Sequence, residues 1–231
     1  GVARMAMLGL WVMEREPFHE VLLHGLLRDE HGEKMSKTRG NGLDPLEMVE
    51  RYGADALRFT LAAGTVPGRD MSLPEASIEG NRNFINKVWN ATRFVLGHTA
   101  RLGAPAALAG VQPGRFERWI LGRLYQVAGE TRAYLEQRRF NEACRALYGF
   151  VWHEFCDWYV EISKPALGGE QGPAAQAATL ATLHHVLGES IKLLHPLMPF
   201  VTEELWHELP GREGSIMVQP YPRPEHLAAL Q

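Results

Sequence analysis

The sequence predicts a mainly α-helical protein in two parts, a short mixed α/β segment followed by a helical bundle. Three observations carry this. An apolar run from Val21 to Leu27 stands among charged residues, and a lysine-bearing loop after it leads into a helix-start signal at Asp44-Pro45. From about Leu73 onward, apolar residues recur at spacings of three and four in four successive stretches. That is the pattern of helices that each bury one face.

In chain order, Val2 to Met13 reads as an apolar helix. Val21-Leu22-Leu23-His24-Gly25-Leu26-Leu27 is short, apolar and bounded by charges, which predicts a strand buried on both faces, as in a parallel sheet. Asp44 is an N-cap with proline at the first helical position and Glu47 three residues after the cap. A further helix begins at Ala54, and these elements form a first unit over residues 1–72.

The second unit, residues 73–215, is read as an α-helical bundle. Its stripes are Phe84/Ile85, Val88/Trp89, Thr92 and Val95/Leu96; Trp119/Ile120, Leu124, Val127, Thr131 and Tyr134/Leu135; Phe140, Ala143, Leu147, Phe150/Val151, Phe155, Trp158/Tyr159 and Ile162; and Leu180, Leu183, Leu187, Ile191 and Leu194. Pro196 ends the last. Glycine, alanine and proline between Gly103 and Gly114, and glycine between Gly168 and Pro173, mark the connections. Residues 216–231 read as a short extended edge at Ile216-Met217-Val218 and a proline-bearing tail. Trp89, Trp119, Trp152, Trp158 and Trp206 fall mainly on the stripes, so core packing is their expected role.

Composition narrows the function classes. With 231 residues, 45% hydrophobic and 22% charged, the chain can bury at least one sizeable core. No apolar run reaches the roughly 18 residues of a membrane span, and no cleavable signal opens the chain. Cys144 and Cys156 lack zinc-knuckle spacing and are expected as buried helix residues in a reducing, cytoplasmic setting. The histidines, His184-His185 and His195 included, show no ligand spacing, so no structural metal is expected.

Only five of the 24 basic residues are lysine, and two of them, Lys34 and Lys37, lie within four positions of each other. The loop Lys34-Met35-Ser36-Lys37-Thr38 carries two ammonium groups and two hydroxyls, with a small-residue exit at Gly40. A basic surface turn is the plain alternative. The setting between a buried strand and a helix start favours a phosphate-holding loop, because ligands of open α/β sheets sit beyond the carboxyl ends of the strands. Lysine supplies a compact, mobile charge that can follow charge as it develops.

Lys34-Met35-Ser36-Lys37-Thr38, with Gly40-Asn41, Asp44-Pro45 and Tyr52-Gly53-Ala54-Asp55-Ala56-Leu57-Arg58, resembles the second nucleotide-binding motif of class I aminoacyl-tRNA synthetases and the helical segment after it. Phe155-Cys156-Asp157-Trp158-Tyr159 and the segment from Leu194 through His195-Pro196-Leu197-Met198-Pro199-Phe200 to Trp206 most resemble the valyl members. The likeness runs through nearly the whole chain. It implies the end of a Rossmann-type α/β catalytic domain followed by an α-helical anticodon-binding bundle. It also implies ATP with Mg2+, valine and tRNA(Val) as the substrates of the complete enzyme, a cytoplasmic location and a monomer. Lys34, Met35, Ser36, Lys37 and Thr38 would bind ATP, Lys37 would have the larger catalytic part, and Lys34 would assist. The family's last motif residue is usually serine, and Thr38 keeps the hydroxyl.

The His-x-Gly-His element that these enzymes pair with the loop does not occur among the 10 histidines. About 30 residues precede the loop, fewer than a doubly wound fold needs. The chain therefore reads as an internal piece of a longer enzyme and is expected not to aminoacylate by itself, with the editing insertion upstream of it.

Since the resemblance makes the bundle a tRNA binder, positive charge is sought locally, because the formal net charge is only -3. Arg82, Asn83, Asn86, Lys87, Asn90 and Arg93 form one candidate cluster, in which positions 83, 86, 87, 90 and 93 share a helix face at spacings of three and four. Between Arg115 and Arg145 stand seven arginines against four glutamates, with Arg118, Arg132 and Arg139 as candidates. Solvated i, i+4 ion pairs are the alternative for the arginines, and capping or bridging for the asparagines. Two further readings stay open: a free-standing, catalytically inactive tRNA-binding module, and a piece of a related isoleucyl enzyme.

Overall fold

A computed structural model describes residues 1–29, 31–35 and 41–224. Helix α1 spans Val2–Met13 as expected, but it has no buried residue, and Trp11 is 81% exposed. The chain then runs without regular structure to β1, Leu27–Arg28, which pairs in parallel with β2, Met71–Ser72, placing Leu27 opposite Met71 and Arg28 opposite Ser72. The expected buried strand over Val21 to Leu27 is thus corrected. Val21, Leu22, Leu23 and Leu26 are exposed. A parallel strand is buried on both faces only where other elements cover both; among the described residues, β1 has a single two-residue partner.

The local signals around α2 hold. Helix α2, Pro45–Tyr52, starts where the Asp44 carboxylate accepts a hydrogen bond from the Leu46 amide at 2.9 Å, the N-cap that the sequence predicts. Gly53, at φ 89°, separates α2 from α3, Ala54–Gly64, in a conformation that costs a residue with a Cβ far more. Met48, Ala56, Leu73 and Ile78 form a small core here, with Met35 and Leu43 packed against it.

Helix α3 has a second apolar face. Phe59 lies 5.4 Å, ring to ring, from Phe84 of α4, Glu75–Leu102, and belongs to the main core of the bundle. The bundle continues through a 3-10 turn at Leu108–Gly110, α5, Arg115–Glu136, and α6, Phe140–Tyr148. The chain then winds as a π-helix over Gly149–Tyr159 and returns to α geometry in α7, Val160–Leu167. Helix α8, Pro173–Leu194, has 15 of its 22 residues buried, so it is the central helix on which α4, α5, α6, α7 and α9 (Pro199–Glu208) pack.

The third stripe is thus one continuous helix with a change of winding. In the π-helix, hydrogen bonds run i→i+5 rather than i→i+4; the buried pair Phe150 and Val151 recurs five residues on at Phe155 and Cys156, and the spacing returns to four at Tyr159 and Val160, where α geometry resumes. Trp158 falls out of phase and is 63% exposed. Cys144 and Cys156 are buried as expected, and burial pushes both thiols up to about 12.

The extended edge expected at the end is also corrected. Ile216–Val218 forms a 3-10 turn: the Ser215 hydroxyl accepts from the Met217 amide at 3.1 Å, and Glu203 of α9 accepts from the Ile216 amide at 3.3 Å. With these amides taken and no neighbouring strand among the described residues, nothing holds the segment extended. None of the described helices is long and apolar enough to cross a membrane.

Candidate functional site

The base of the lysine loop is built from β1 and the turn after it. Asp29 organises the turn, accepting from the amides of His31 at 3.0 Å and Glu33 at 2.8 Å. Lys34 bridges back to Arg28 in antiparallel fashion, and the Met35 amide donates to the Leu27 carbonyl at 3.2 Å. Asn41, on the exit side, closes the loop: its Nδ2 donates to Asp29 at 2.8 Å and to the Lys34 carbonyl at 3.3 Å. The Asn41 amide is the main reason that the Asp29 carboxyl lies below its usual range, with burial opposing it. Entry and exit of the loop are therefore pinned to one carboxylate.

Lys34 and Met35 line a cavity of about 480 Å³ together with His24, Gly25 and Arg69, within the roughly 300–1,000 Å³ of small-molecule sites. The cavity wall is tight at one point. A Cβ on Gly25 would stand 1.8 Å from the Arg69 carbonyl oxygen, so glycine permits the close approach of these two backbones. Asp70 fastens the same seam, accepting from the Leu26 amide at 2.9 Å and from Arg28 Nε at 2.7 Å. Ser36, Lys37 and Thr38, three of the five expected ATP-binding residues, lie outside the described residues.

On α4, Asn83, Asn86, Asn90 and Arg93 are exposed on one face, and Trp89 joins them at 39% exposure. Two members of the expected cluster are drawn elsewhere. Arg82 leans over the Tyr52 ring, 5.6 Å from its centroid, and reaches Glu79 at 3.3 Å. Lys87 pairs with Asp157 and sits 4.5 Å above the Trp152 ring; that ammonium is the chief cause of the lowered pKa of Asp157.

The arginine surplus of α5 and α6 shrinks in the same way. Arg132 pairs with Glu136 at 2.9 Å and Arg139 with Glu142 at 2.9 Å, while Arg138 reaches Glu20 and Arg123 holds Glu154 at 2.6 Å. Ion pairing, the alternative weighed from sequence, thus describes Arg132 and Arg139. Arg118 remains exposed and donates to the Pro113 carbonyl at 2.7 Å.

Core packing holds for Trp206, at 2% exposure, and Trp152 is half-buried, but Trp89, Trp119 and Trp158 are exposed, which corrects their expected role. Trp119 and Trp158 line a shallow cleft of about 390 Å³ with Arg115, Phe116 and Ile162. One signal of it was present: Phe116 and Trp119 are one turn apart beside Arg115 and Arg118, at the helix start, before the buried run of Ile120 and Leu124.

Comparison with known proteins finds two family models that match the chain. A family model described as class I tRNA synthetases (I, L, M and V) matches residues 1–74, and one described as the anticodon-binding domain of tRNA ligase matches residues 117–230. The chain belongs to the class I aminoacyl-tRNA synthetases, as a stretch that joins the end of the catalytic domain to the anticodon-binding domain. Within that class it is similar to valine–tRNA ligases. That of Syntrophotalea carbinolica is 50% identical over 218 residues, covering 94% of this chain and 24% of the relative. That of Geobacter sulfurreducens is 49% identical over 229 residues, covering 96% and 25%. The chain thus spans about a quarter of the length of the curated relatives it matches.

Among solved structures, a LeuRS–tRNA–LeuAMS ternary complex from Agrobacterium radiobacter K84 superposes with a TM-score of 0.73 at 25% identity, over 98% of this chain and 27% of that one. Mycobacterium tuberculosis methionyl-tRNA synthetase shares the fold, with a TM-score of 0.68 at 22% identity, over 79% of this chain and 36% of that one.

Proposed function

We propose that the chain serves valine–tRNA ligation: activation of valine with ATP and transfer of the valyl group to tRNA(Val). The observation that carries this is the stapled loop base, where Asn41 bonds both Asp29 and the Lys34 carbonyl beside a cavity of small-molecule size. The likeness to valine–tRNA ligases supports the choice of amino acid.

In the first step the valine carboxylate attacks the α-phosphate of ATP and pyrophosphate leaves. Such transfers depend on positioning and on neutralising charge as it separates. Lys34 and Lys37 hold the β- and γ-phosphates, with Ser36 and Thr38 donating hydroxyl hydrogen bonds and Met35 anchoring the loop in the small core. Mg2+ enters with the nucleotide, since Mg2+ is bound largely by phosphates and water; among the described residues, no group of three His, Cys, Asp or Glu could hold a metal.

The bundle takes the anticodon arm. The amides of Asn83, Asn86 and Asn90 with the charge of Arg93 suit a sugar-phosphate backbone, and Arg118 adds charge near the start of α5. Arg82, Lys87, Arg132 and Arg139 would have to exchange an intramolecular partner for a phosphate, so their share is smaller. By itself the chain binds tRNA without charging it.

The test is binding to a valine tRNA transcript and to the same transcript with its anticodon replaced, at fixed near-physiological salt. Base contacts carry about 1–3 kcal/mol each, whereas phosphate contacts are blind to the exchange. Binding weakened about tenfold or more supports anticodon reading, and equal binding removes it.

A further inference from the structure

We infer that Asp55 is a positioning residue that keeps the anticodon-binding bundle in register with the helices carrying the lysine loop. The inference rests on the functional reading above and deepens it. Asp55 stands in the first turn of α3, 5% exposed, and its carboxylate reaches an element 145 residues away. Its Oδ2 accepts from the Val201 amide at 2.6 Å, and Oδ1 from the Phe200 amide at 3.3 Å. These are among the first amides of α9, which have no partner within their own helix.

The carboxylate also meets the positive end of the α9 dipole. One turn along α3, Arg58 donates to the Pro196 carbonyl at 3.2 Å, just ahead of α9. The receiving segment is itself held, because His195 Nδ1 and the Thr202 hydroxyl lie 2.8 Å apart and Thr202 donates to the Met198 carbonyl at 2.6 Å.

Helix α3 is the element through which such a contact can matter. Ala56 packs in the small core with Met35 of the loop, while Phe59 packs in the main core of the bundle. A run of contacts therefore leads from Met35 through Ala56 and Asp55 to the start of α9. Side chains packed this closely do not deform gradually, so a shift of α9 is passed to α3 and the loop base rather than absorbed. A buried leucine at position 55 would add apolar packing at less cost than a carboxylate. The carboxylate adds a fixed direction, since two amides of one helix end define where α9 sits.

The experiment is done in the full-length synthetase with Asp55→Asn. The readouts are valine-dependent ATP–pyrophosphate exchange without tRNA, tRNA affinity, and kcat for charging of tRNA(Val) with its own or a replaced anticodon. In the unaltered enzyme, anticodon replacement lowers kcat by about tenfold or more; in Asp55→Asn that penalty shrinks to about threefold or less, while exchange and tRNA affinity stay within about threefold.

Arg58→Ala removes an exposed partner of the same contact without leaving a buried group unpaired, and it shows the same shrinkage to a smaller extent. An anticodon penalty unchanged in both variants overturns the inference, as does a parallel fall of exchange and charging in both, the mark of a purely structural role. An unaltered enzyme that neither exchanges nor charges with valine overturns the functional reading itself, and the inference falls with it.

Discussion

Arg123 of α5 grips Glu154 of the π-helix through two parallel hydrogen bonds, Nε to Oε2 at 2.6 Å and Nη2 to Oε1 at 2.8 Å. Both side chains are half-buried, and the pair joins the two helices whose outer ends flank the Trp119–Trp158 cleft. A planar fork fits this geometry and an ammonium does not. Arg123→Met and Arg123→Lys are therefore both expected to cost about 1–2 kcal/mol. In a chain of this size that is a fall of very roughly 2–8 °C in Tm, read by differential scanning calorimetry. Full stability in the lysine variant would mean that charge alone holds the pair.

The winding of the π-helix makes a sharper prediction, because it separates two residues that an α-helical phase would both bury. Phe155 is 0% exposed and Trp158 is 63% exposed. Phe155→Ala is expected to cost about 3–5 kcal/mol, and Trp158→Ala about 1 kcal/mol or less. Urea denaturation curves read both, and comparable losses would restore α-helical phasing to this stretch.

That pair also marks how far the fold was legible. The Asp44 cap, the Gly53 break and the stripes of α4, α5 and α8 depend on residues within a turn or two of each other, so they could be read directly. Trp158 could not, since stripes at 155 and 158/159 suit an α-helix and no local pattern marks the change to i→i+5 bonding over Gly149–Tyr159. The exposure of Val21 to Leu26 was hidden for a similar reason, as burial on both faces depends on elements that a local pattern does not specify. In the site, Lys34 was marked by the motif, whereas the bonds of Asn41 to Asp29 and to the Lys34 carbonyl were not, because Asn41 stood in the sequence only as part of the resemblance. Asp55 was visible only as part of a resemblance, because its partners, Phe200 and Val201, are far away in sequence.

The buried His184 and the half-buried His185 both resist protonation in the fold. Burial, aided by the nearby charge of Arg212, lowers the pKa of His184 from 6.5 to about 4, and burial lowers that of His185 beside Glu189, Lys192 and Arg212. Both are held neutral in the fold, so the unfolded chain binds more protons between the unfolded and folded values. Stability is then full above about pH 6.5 and falls as the pH drops toward 4, on the order of 3 kcal/mol for His184 across that window. His184→Gln, which can still bond Thr99, should flatten the fall of Tm between those limits. A variant with the unchanged pH slope would assign acid unfolding to other groups.

Arg93 and Arg132 separate an available cation from an engaged one. Arg93 is exposed and has no ion pair among the described residues, whereas Arg132 is held by Glu136 at 2.9 Å. Arg93→Ala is expected to weaken tRNA binding and to reduce the slope of log K against log salt by about one. Arg132→Ala should change affinity by about twofold or less, since the phosphate would have to displace Glu136. Salt-dependent filter binding measures both, and equal slopes for the two variants would remove the distinction.

The loop lysines provide the test closest to the chemistry. Lys34 is fixed at its backbone by the bridge to Arg28 and by Asn41, so its side chain works from a constrained position at the cavity wall. Lys37 lies further along the loop, and the resemblance assigns it the larger part. In the full-length synthetase, Lys37→Ala should lower valine-dependent ATP–pyrophosphate exchange by roughly 100- to 1,000-fold, with KM for valine little changed. Lys34→Ala should lose less, and Thr38→Ser should retain the rate because the hydroxyl remains. Lys37→Arg is expected to recover little, since a planar fork cannot follow the departing pyrophosphate as a mobile ammonium does. A Lys37→Ala enzyme that exchanges pyrophosphate at the original rate would take the transferring phosphates away from this loop.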